Sequence, residues 1–433
     1  MKNIFKKIVV AILTWEAKVA LGVHKPKVIA VTGNVGKTST KDAIYAVVSR
    51  SFNARKSQKS MNSEFGLPLT ILGLDTAWSS AGGWAKNLWK GFVVALFRKN
   101  YPEWLVLEVG ADHPGDIESV AKWLSPEIVV LTRMSDVPVH VQFFKDAADV
   151  LREKMFLAQA LRPDGALVVN ADDPLFMKAV ADLNATKGGT LRVVTYGQDS
   201  RANTVIADTH IEYGQGALPL PTGQGAKIGG ENVVIRGVLG SHLMYSVAAA
   251  SAVASVLGIQ KEVAGAFADF ETPKGRMRIL PGALKSAIID DTYNSSPIAC
   301  AEALKALGGL SIRGRKMAAL ADMKELGDNT ESAHRNIGKL AFEHLHTLVT
   351  VGEAAKFIAL GARDAGMTAD RIHSFATSEE AAAALADMVR AGDVVLVKGS
   401  QSMRMERVSK ALLEDQSQAG KLLVRQEEEW SVR

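Results

Sequence analysis

With 433 residues, 47% of them hydrophobic and 22% charged, the chain carries enough apolar material for two or three domains, and its composition excludes a disordered protein. The net charge of +5 is small for this length and gives no ground for a nucleic-acid partner. A single cysteine, Cys300, excludes a disulfide framework or thiolate metal cluster, leaves no basis for nucleophilic cysteine chemistry and favours a reducing compartment.

Residues 1–25 open with Lys2, Lys6 and Lys7 around the apolar run Ile8 to Leu13. The run is too short to span a bilayer, and with Glu16 and Lys18 behind it and no small-residue cleavage site it does not fit a signal peptide. Wound as a helix, Phe5, Ile8, Ile12, Trp15 and Val19 line one stripe. That stripe either docks the helix on its own domain or lays it in the plane of a membrane surface.

Val28 to Val31 read as a buried parallel strand and Lys41 to Ser49 as the helix that follows. Between them stands Gly33-Asn34-Val35-Gly36-Lys37-Thr38-Ser39. A glycine turn from strand to helix aims backbone N–H groups and a helix N-terminus at one spot, which suits a phosphate. Lys37 then reaches the β- and γ-phosphates, and the Thr38 hydroxyl holds Mg²⁺. The general pattern G-x-x-x-x-G-K-[ST] asks for glycine at position 31, where this chain has Val31. A chance Gly-Lys-Thr triplet is the competing explanation, and the flanking strand and helix count against it.

Between Leu74 and Trp104 lie four of the seven tryptophans, Trp78, Trp84, Trp89 and Trp104, with Phe92, Val93, Val94, Leu96 and Phe97. Lys86, Lys90, Arg98 and Lys99 are interleaved with them. This make-up fits a membrane-interface helix, or an excursion that packs on the N-terminal helix and closes a side of the domain.

Further strands are expected at Trp104 to Val109, Ile128 to Thr132, Ala166 to Asn170 and Leu191 to Tyr196, alternating with helices. Short runs at Asn203 to Ile206 and Asn232 to Ile235 among glycines and prolines suggest an antiparallel flap on the main sheet. An Ala-rich helix follows from Tyr245 to Leu257, and Thr272-Pro273-Lys274-Gly275 reads as a hinge. A second α/β unit begins at Ala287 to Asp291 and continues with strands at Lys316 to Leu320, Thr347 to Val351 and Val394 to Val397. The fold class is α/β: a central, P-loop-type, mostly parallel sheet domain over 26–273, with an insertion about 75–103, and a Rossmann-like C-terminal domain over 274–433.

Glu108 ends a strand, and a carboxylate at a strand's C-terminal end beside a phosphate loop is well placed for Mg²⁺. His140 and Lys154 follow fourteen positions apart. Taken singly, they read as a surface histidine and a solvated lysine next to Glu153.

Together, TGNVGKTST, MNSEFGLPLT, LEVGADHPGDI, the His140 to Lys154 spacing, NADDP, KGR, DDTYNSSP, LADMKELG and KGSQSM resemble the Mur ligase family. Within it they are most similar to the branch that adds D-alanyl-D-alanine to a UDP-N-acetylmuramoyl tripeptide. The motifs run in family order from Val28 to about Val408, nearly nine tenths of the chain. The shorter loop form T-G-x-x-G-K-[ST] of the family accounts for Val31.

The resemblance implies an ATP-dependent ligase that phosphorylates a carboxylate and couples the acyl phosphate to an amine. It implies that Gly33 to Ser39 cradle ATP, that Lys37 grips the phosphates, and that Thr38 and Glu108 hold one Mg²⁺. His140 helps bind a second Mg²⁺, and Lys154 matches a position carbamylated by CO₂ in relatives. Arg276 approaches the nucleotide phosphates, and Asp291, Tyr293 and Asn294 touch its ribose and base, with domain closure around ATP. Asn62 and Glu64, followed by Pro68, fit the acceptor side of this branch, and Lys398, Gly399 and Ser400 line the incoming amine side. Small-molecule substrates, a monomer and a cytoplasmic or peripheral inner-membrane location complete the expectation.

The chain departs from the family at three places. In the pattern G-x-H-N-x-x-N it has Leu243 and Ser246 for the asparagines, so the amide contact to adenine is not expected. Two extra residues lie between Thr132 and His140. Relatives begin with a UDP-sugar-binding domain of about eighty residues, whereas about 25 residues precede the first strand here. Acceptor recognition rebuilt from the N-terminal helix and the Trp-rich segment is one expectation. A Mur-like ligase for a membrane-bound or polymeric acceptor of poly-γ-glutamate type is another, and a membrane-associated nucleotide-binding module without ligase activity is a third.

Overall fold

The computed structural model of the chain describes all residues except 1, 59–64, 78–79, 112, 135–143, 269, 428–429 and 431–433, and only the backbone of 2–5, 81 and 242. The backbone divides into two compact units. One comprises Met1–Asp208, Lys227–Val233 and His242–Ala268; the other comprises Thr209–Ala226, Val234–Ser241 and Asp269–Arg433.

The chain opens with α1 (Lys2–His24), β1 (Lys27–Thr32), α2 (Lys37–Val48), β2 (Ala54–Lys56), α3 (Gly66–Leu72) and α4 (Ala81–Phe97). It continues through β3 (Trp104–Glu108), α5 (Asp116–Ala121), β4 (Ile128–Leu131), α6 (Ala147–Gln159), β5 (Ala166–Asn170), α7 (Pro174–Thr186) and β6 (Arg192–Gly197). Then come β7 (Thr204–Tyr213), β8 (Pro221–Ile228), β9 (Glu231–Arg236), α8 (His242–Leu257) and α9 (Glu262–Ala268).

The first sheet has the order β2-β3-β1-β4-β5-β6-β7-β8-β9. β1 lies between β3 and β4, parallel to both, and all three are buried along most of their length. Strands covered on both faces are continuous apolar runs, which is why they were readable in the sequence. The register pairs Val31 with Glu108, so the carboxylate stands at the same end of the sheet as the loop that leaves β1. The expected flap differs at its junction, because β7 joins β6 in parallel. Between β8 and β9 only Gly229 and Gly230 intervene, with φ of 56° and 97°, the two-residue turn of an antiparallel hairpin.

The N-terminal helix is docked on its own unit, against α3 and α4, but not through the stripe its periodicity suggested. Val9, Leu13, Ala17 and Ala20 are buried, whereas Ile8, Ile12 and Trp15 are exposed and Val19 is half-buried. Burying Val9 and Leu13 stabilises the docked helix by about 1.5–3 kcal/mol each. α4 packs on α1, as one reading of the Trp-rich segment required. The His24 ring stacks on Tyr101 at 4.3 Å and its Nε2 lies 2.9 Å from the Val94 carbonyl, which fixes the end of α1. No helix among the described residues is long and apolar enough to cross a membrane.

The second unit contains β10 (Arg278–Gly282), β11 (Ser286–Asp291), α10 (Pro297–Gly308), β12 (Lys316–Ala321), α11 (Thr330–His344) and β13 (Thr347–Val351). α12 (Lys356–Asp364), β14 (Ile372–Phe375), α13 (Ser378–Met388), β15 (Val394–Lys398), α14 (Glu406–Leu412) and α15 (Ala419–Leu422) complete it. Its sheet order is β10-β11-β15-β12-β13-β14, with β10 antiparallel and the rest parallel. Successive strands β11 and β12 are separated by β15, a topological switch of the kind at which doubly wound sheets place ligands. Asp291 and Lys398 sit opposite each other there, at the C-terminal ends of β11 and β15.

Candidate active site

The loop after β1 is pinned from the neighbouring strand. Asn34 and Val35 donate their N–H groups to the Arg133 carbonyl at 2.7 and 3.2 Å. The Thr132 hydroxyl donates to the carbonyls of Thr32 and Val35 at 3.2 and 2.8 Å. Gly33 has φ 148°, and a Cβ there would stand 1.9 Å from Thr132 Oγ1, so only glycine fits. Gly36, with φ 85°, is the N-cap of α2, which starts at Lys37 rather than at Lys41 as the sequence suggested. Lys37, Thr38 and Ser39 therefore form the first turn, where N–H groups lack intrahelical acceptors and favour an anion. Lys37 Nζ donates to the carbonyls of Gly33 and Asn34 at 2.9 and 3.3 Å, so its charge stands over the loop.

Glu108 is buried at the end of β3, and its N–H donates to Ser57 Oγ at 3.2 Å. Ser57 is held in turn by Lys41 Nζ, which donates to its carbonyl at 2.7 Å. The half-buried Thr38 hydroxyl and the Glu108 carboxylate are hard oxygen donors of the kind Mg²⁺ takes. Among the described residues no three His, Cys, Asp or Glu side chains gather as a metal site. Mg²⁺ at nucleotide sites typically uses one or two protein oxygens plus substrate phosphates and water, so this donor set fits it.

Lys154 lies on the inner face of α6 and is 3% exposed, so the solvated-lysine reading is overturned. The adjacent Glu153 does not neutralise it by pairing. Its carboxylate accepts N–H bonds from Gly115, Ile117 and Glu118 at 3.0, 2.6 and 3.1 Å, tying α6 to the start of α5. Burial first, then the charge of Lys37, push the Lys154 ammonium down to about 7, with Glu153 opposing the shift. An amine with that pKa is substantially neutral at physiological pH and is a competent nucleophile toward CO₂. α6 thus brings Lys154 within electrostatic reach of the phosphate loop.

Two aspartates at the end of β5 organise the same edge. Asp173 caps α7, accepting from Phe176 N–H at 2.9 Å, and also accepts from Met134 N–H at 2.6 Å. Asp172 accepts from the N–H groups of Gln198 and Asp199 and from the Tyr245 hydroxyl at 2.8 Å. Ser246, which stands where the family pattern has asparagine, meets Thr40 with their hydroxyl oxygens 3.1 Å apart. It joins α8 to α2, and Leu243 is buried in the core.

In the second unit, Gly275 has φ 69°, and its carbonyl accepts from Tyr293 N–H at 3.1 Å. A Cβ at Gly275 would stand 2.9 Å from Tyr293 N, so glycine permits this close approach. The neighbouring Arg276 guanidinium lies over the Tyr293 ring, 4.3 Å from its centroid. Asp291 accepts from Lys398 Nζ at 2.6 Å in a buried pair, and Lys398 also donates to the Asn294 carbonyl at 3.0 Å. Ser400 Oγ accepts from Lys324 N–H at 2.9 Å. Asp291, Asn294 and Lys398 therefore form one cluster, and Arg276 with Tyr293 forms a second one beside it.

His140, Asn62 and Glu64 lie outside the described residues. Sequence reasoning missed Thr132, Arg133, Ser57 and Glu153, which position the loop, Glu108 and Lys154. Asp173, by contrast, lies in the quoted NADDP motif and carries a local signal, an Asp-Pro step opening a helix.

Residues 88–254 match the model of the Mur ligase middle domain, and residues 275–401 match that of the Mur ligase glutamate ligase domain. The chain is 28% identical over 392 residues to the UDP-N-acetylmuramoyl-tripeptide–D-alanyl-D-alanine ligase of Bacillus subtilis, covering 90% of this chain and 76% of that protein. It is 30% identical over 408 residues to the enzyme of the same name from Mycobacterium bovis, covering 90% and 73%. Among solved structures, MurF ligase from Thermotoga maritima in complex with ADP superposes with a TM-score of 0.72 at 24% identity, over 95% of this chain and 84% of that one. MurF from Acinetobacter baumannii gives 0.74 at 22% identity, over 94% and 81%. The two family models together with the 30% likeness over nine tenths of the sequence decide the assignment: the chain belongs to the Mur ligase family.

Proposed function

We propose that the protein is an ATP-dependent, ADP-forming carboxylate–amine ligase of peptidoglycan-precursor synthesis, adding D-alanyl-D-alanine to a UDP-N-acetylmuramoyl tripeptide. The names of its relatives support the reaction, and one observation in this chain carries it: a buried Lys154 whose ammonium is pushed down to about 7 by burial first and then by the charge of Lys37 at the phosphate loop.

In this reading a substrate carboxylate oxygen attacks the γ-phosphorus and ADP departs. The amine nitrogen of the dipeptide then attacks the acyl carbon, phosphate leaves, and the amine gives up a proton. Lys37 and the first-turn N–H groups of α2 hold the β- and γ-phosphates while negative charge moves across them. Lys154, once carbamylated, presents an oxygen anion in place of an ammonium, the group needed beside cationic Lys37. Two Mg²⁺ ions, held by Thr38, Glu108, His140 and the carbamate, would supply charge neutralisation for phosphoryl transfer. Arg276 is assigned to the phosphates. Tyr293 and Asn294 are assigned to ribose and base, with Asp291 acting through its pairing with Lys398. Asn62, Glu64 and Ser400 remain assigned to the substrates.

The test is ADP release with UDP-N-acetylmuramoyl tripeptide, with and without D-alanyl-D-alanine, with the product identified by mass spectrometry. Release that requires both, yielding the pentapeptide, is expected. Release with neither substrate dependence, or none at all, overturns the reading.

A further inference from the structure

Nine of the fourteen large apolar side chains that are exposed among the described residues sit on two helices, α1 and α4. Trp15 is 54% exposed, Trp89 69% and Phe97 68%. Their spacing is helical: Ile8, Ile12 and Trp15 on α1, and Trp89, Phe92, Val93 and Leu96 on α4, each set a stripe on one face. The opposite faces already do the folding. Val9, Leu13, Ala17 and Ala20 of α1 and Gly91 and Ala95 of α4 are buried, so the outward stripes contribute nothing to the core.

The two helices run in the same direction. Lys6 lies over Phe65, which packs on Trp84 near the start of α4; Glu16 meets Gly91; and His24 meets Val94 near its end. Both outward stripes thus belong to one packed pair. Every exposed charge on that pair is basic: Lys6, Lys7 and Lys18 on α1, Lys86 and Lys90 on α4, with Arg98 and Lys99 just beyond. Its one acid, Glu16, is turned inward and buried.

We propose that α1 and α4 together form an in-plane docking surface for an anionic phospholipid bilayer. Trp15, Trp89, Phe92 and Phe97 enter the boundary between headgroups and acyl chains, and the flanking lysines meet lipid phosphates. Charge decides between this occupant and a second copy of the chain. A two-fold interface through this face would bring two basic faces together with no exposed acid to pair them, whereas anionic headgroups supply the missing charge. No described helix can cross the bilayer, so attachment is peripheral and salt-sensitive. The inference is independent of the acceptor's identity.

The test is co-sedimentation of the full chain with phosphatidylcholine vesicles, pure or containing about a third phosphatidylglycerol. Binding to the anionic vesicles is expected to be at least ~10-fold tighter and to weaken as salt rises. A Trp15→Ser/Trp89→Ser/Phe97→Ser variant should lose ~10–100-fold in vesicle binding with ADP-forming activity and melting temperature unchanged. Should that variant misfold, Lys86→Glu/Lys90→Glu, confined to exposed positions, must by itself abolish the preference for anionic vesicles. Equal binding to both vesicle types, undiminished binding by a folded variant, or a wild-type dimer that the same substitutions turn into monomer would each overturn the proposal.

Discussion

Lys154 on α6 and Lys37 at the phosphate loop are close enough that each charge opposes the other, and with burial this brings the Lys154 amine from 10.5 to about 7. Between these two values the unfolded chain holds a proton that the folded chain lacks. Stability from this site is therefore fully present above 10.5 and is lost as pH falls through 7. Only the neutral amine attacks CO₂, so carbamate formation follows the same titration. Lys154→Ala is expected to lower ligase turnover by ~100-fold or more, with partial rescue by acetate or formate. Wild-type activity in this variant without rescue would show that no carbamate is involved.

Gly33 and Thr132 constrain each other across β1 and β4. Gly33→Ala puts a methyl group 1.9 Å from Thr132 Oγ1 and is expected to cost about 1–3 kcal/mol of stability and to raise KM for ATP. Thr132→Ala removes two hydroxyl bonds to the loop, a loss of about 1–2 kcal/mol. In the double variant the costs should sum to less than the singles, because the obstructing oxygen is gone. Strict additivity in urea unfolding would mean that the two residues do not meet.

The central strands were legible because Val28 to Val31 and Ile128 to Leu131 are unbroken apolar runs, as a strand covered on both faces must be. The start of α2 was not, since Lys37-Thr38-Ser39-Thr40 is polar and its helical state shows only through Gly36 as cap. The docking face of α1 was misread for a definite reason. Beside Val9 and Leu13 it buries small Ala17 and Ala20 and the carboxyl of Glu16, while Ile8, Ile12 and Trp15 point outward. Moment-type reasoning follows the large residues. The burial of Lys154 depends on α5 engaging Glu153, and the pinning of Val35 depends on Arg133, about a hundred positions away. Contacts of that range leave no local pattern.

Asp291 and Lys398, opposite each other on β11 and β15, form a buried ion pair at 2.6 Å. Removing one partner leaves a charge in the interior, so Asp291→Asn and Lys398→Met are each expected to cost about 3–5 kcal/mol. Replacing both should cost less than either alone, leaving the Asn294 carbonyl as the main unsatisfied group. The three variants are compared by urea denaturation. A double variant as unstable as the summed singles would mean that the pair contributes no coupling.

Glu16 and Gly91 set the spacing of α1 and α4: a Cβ on Gly91 would stand 2.0 Å from Glu16 Oε2, an oxygen without a hydrogen-bond partner among the described residues. Burial raises the Glu16 carboxyl from 4.5 to about 7. Over that interval the folded chain holds a proton that the unfolded chain lacks, so the contribution is complete below 4.5 and is lost as pH rises through 7. Glu16→Gln cannot ionise and should lack this loss. Its melting temperature is expected to exceed that of the wild type by roughly 2–4 °C at about pH 8. At about pH 4, below both values, the carboxyl is neutral in the folded and largely so in the unfolded chain, and the advantage should nearly vanish. A constant difference between the two proteins across this range would mean that Glu16 is not the titrating group. Gly91→Ala forces the carboxyl aside at any pH, so its expected cost of about 1–3 kcal/mol should persist at both ends of the range.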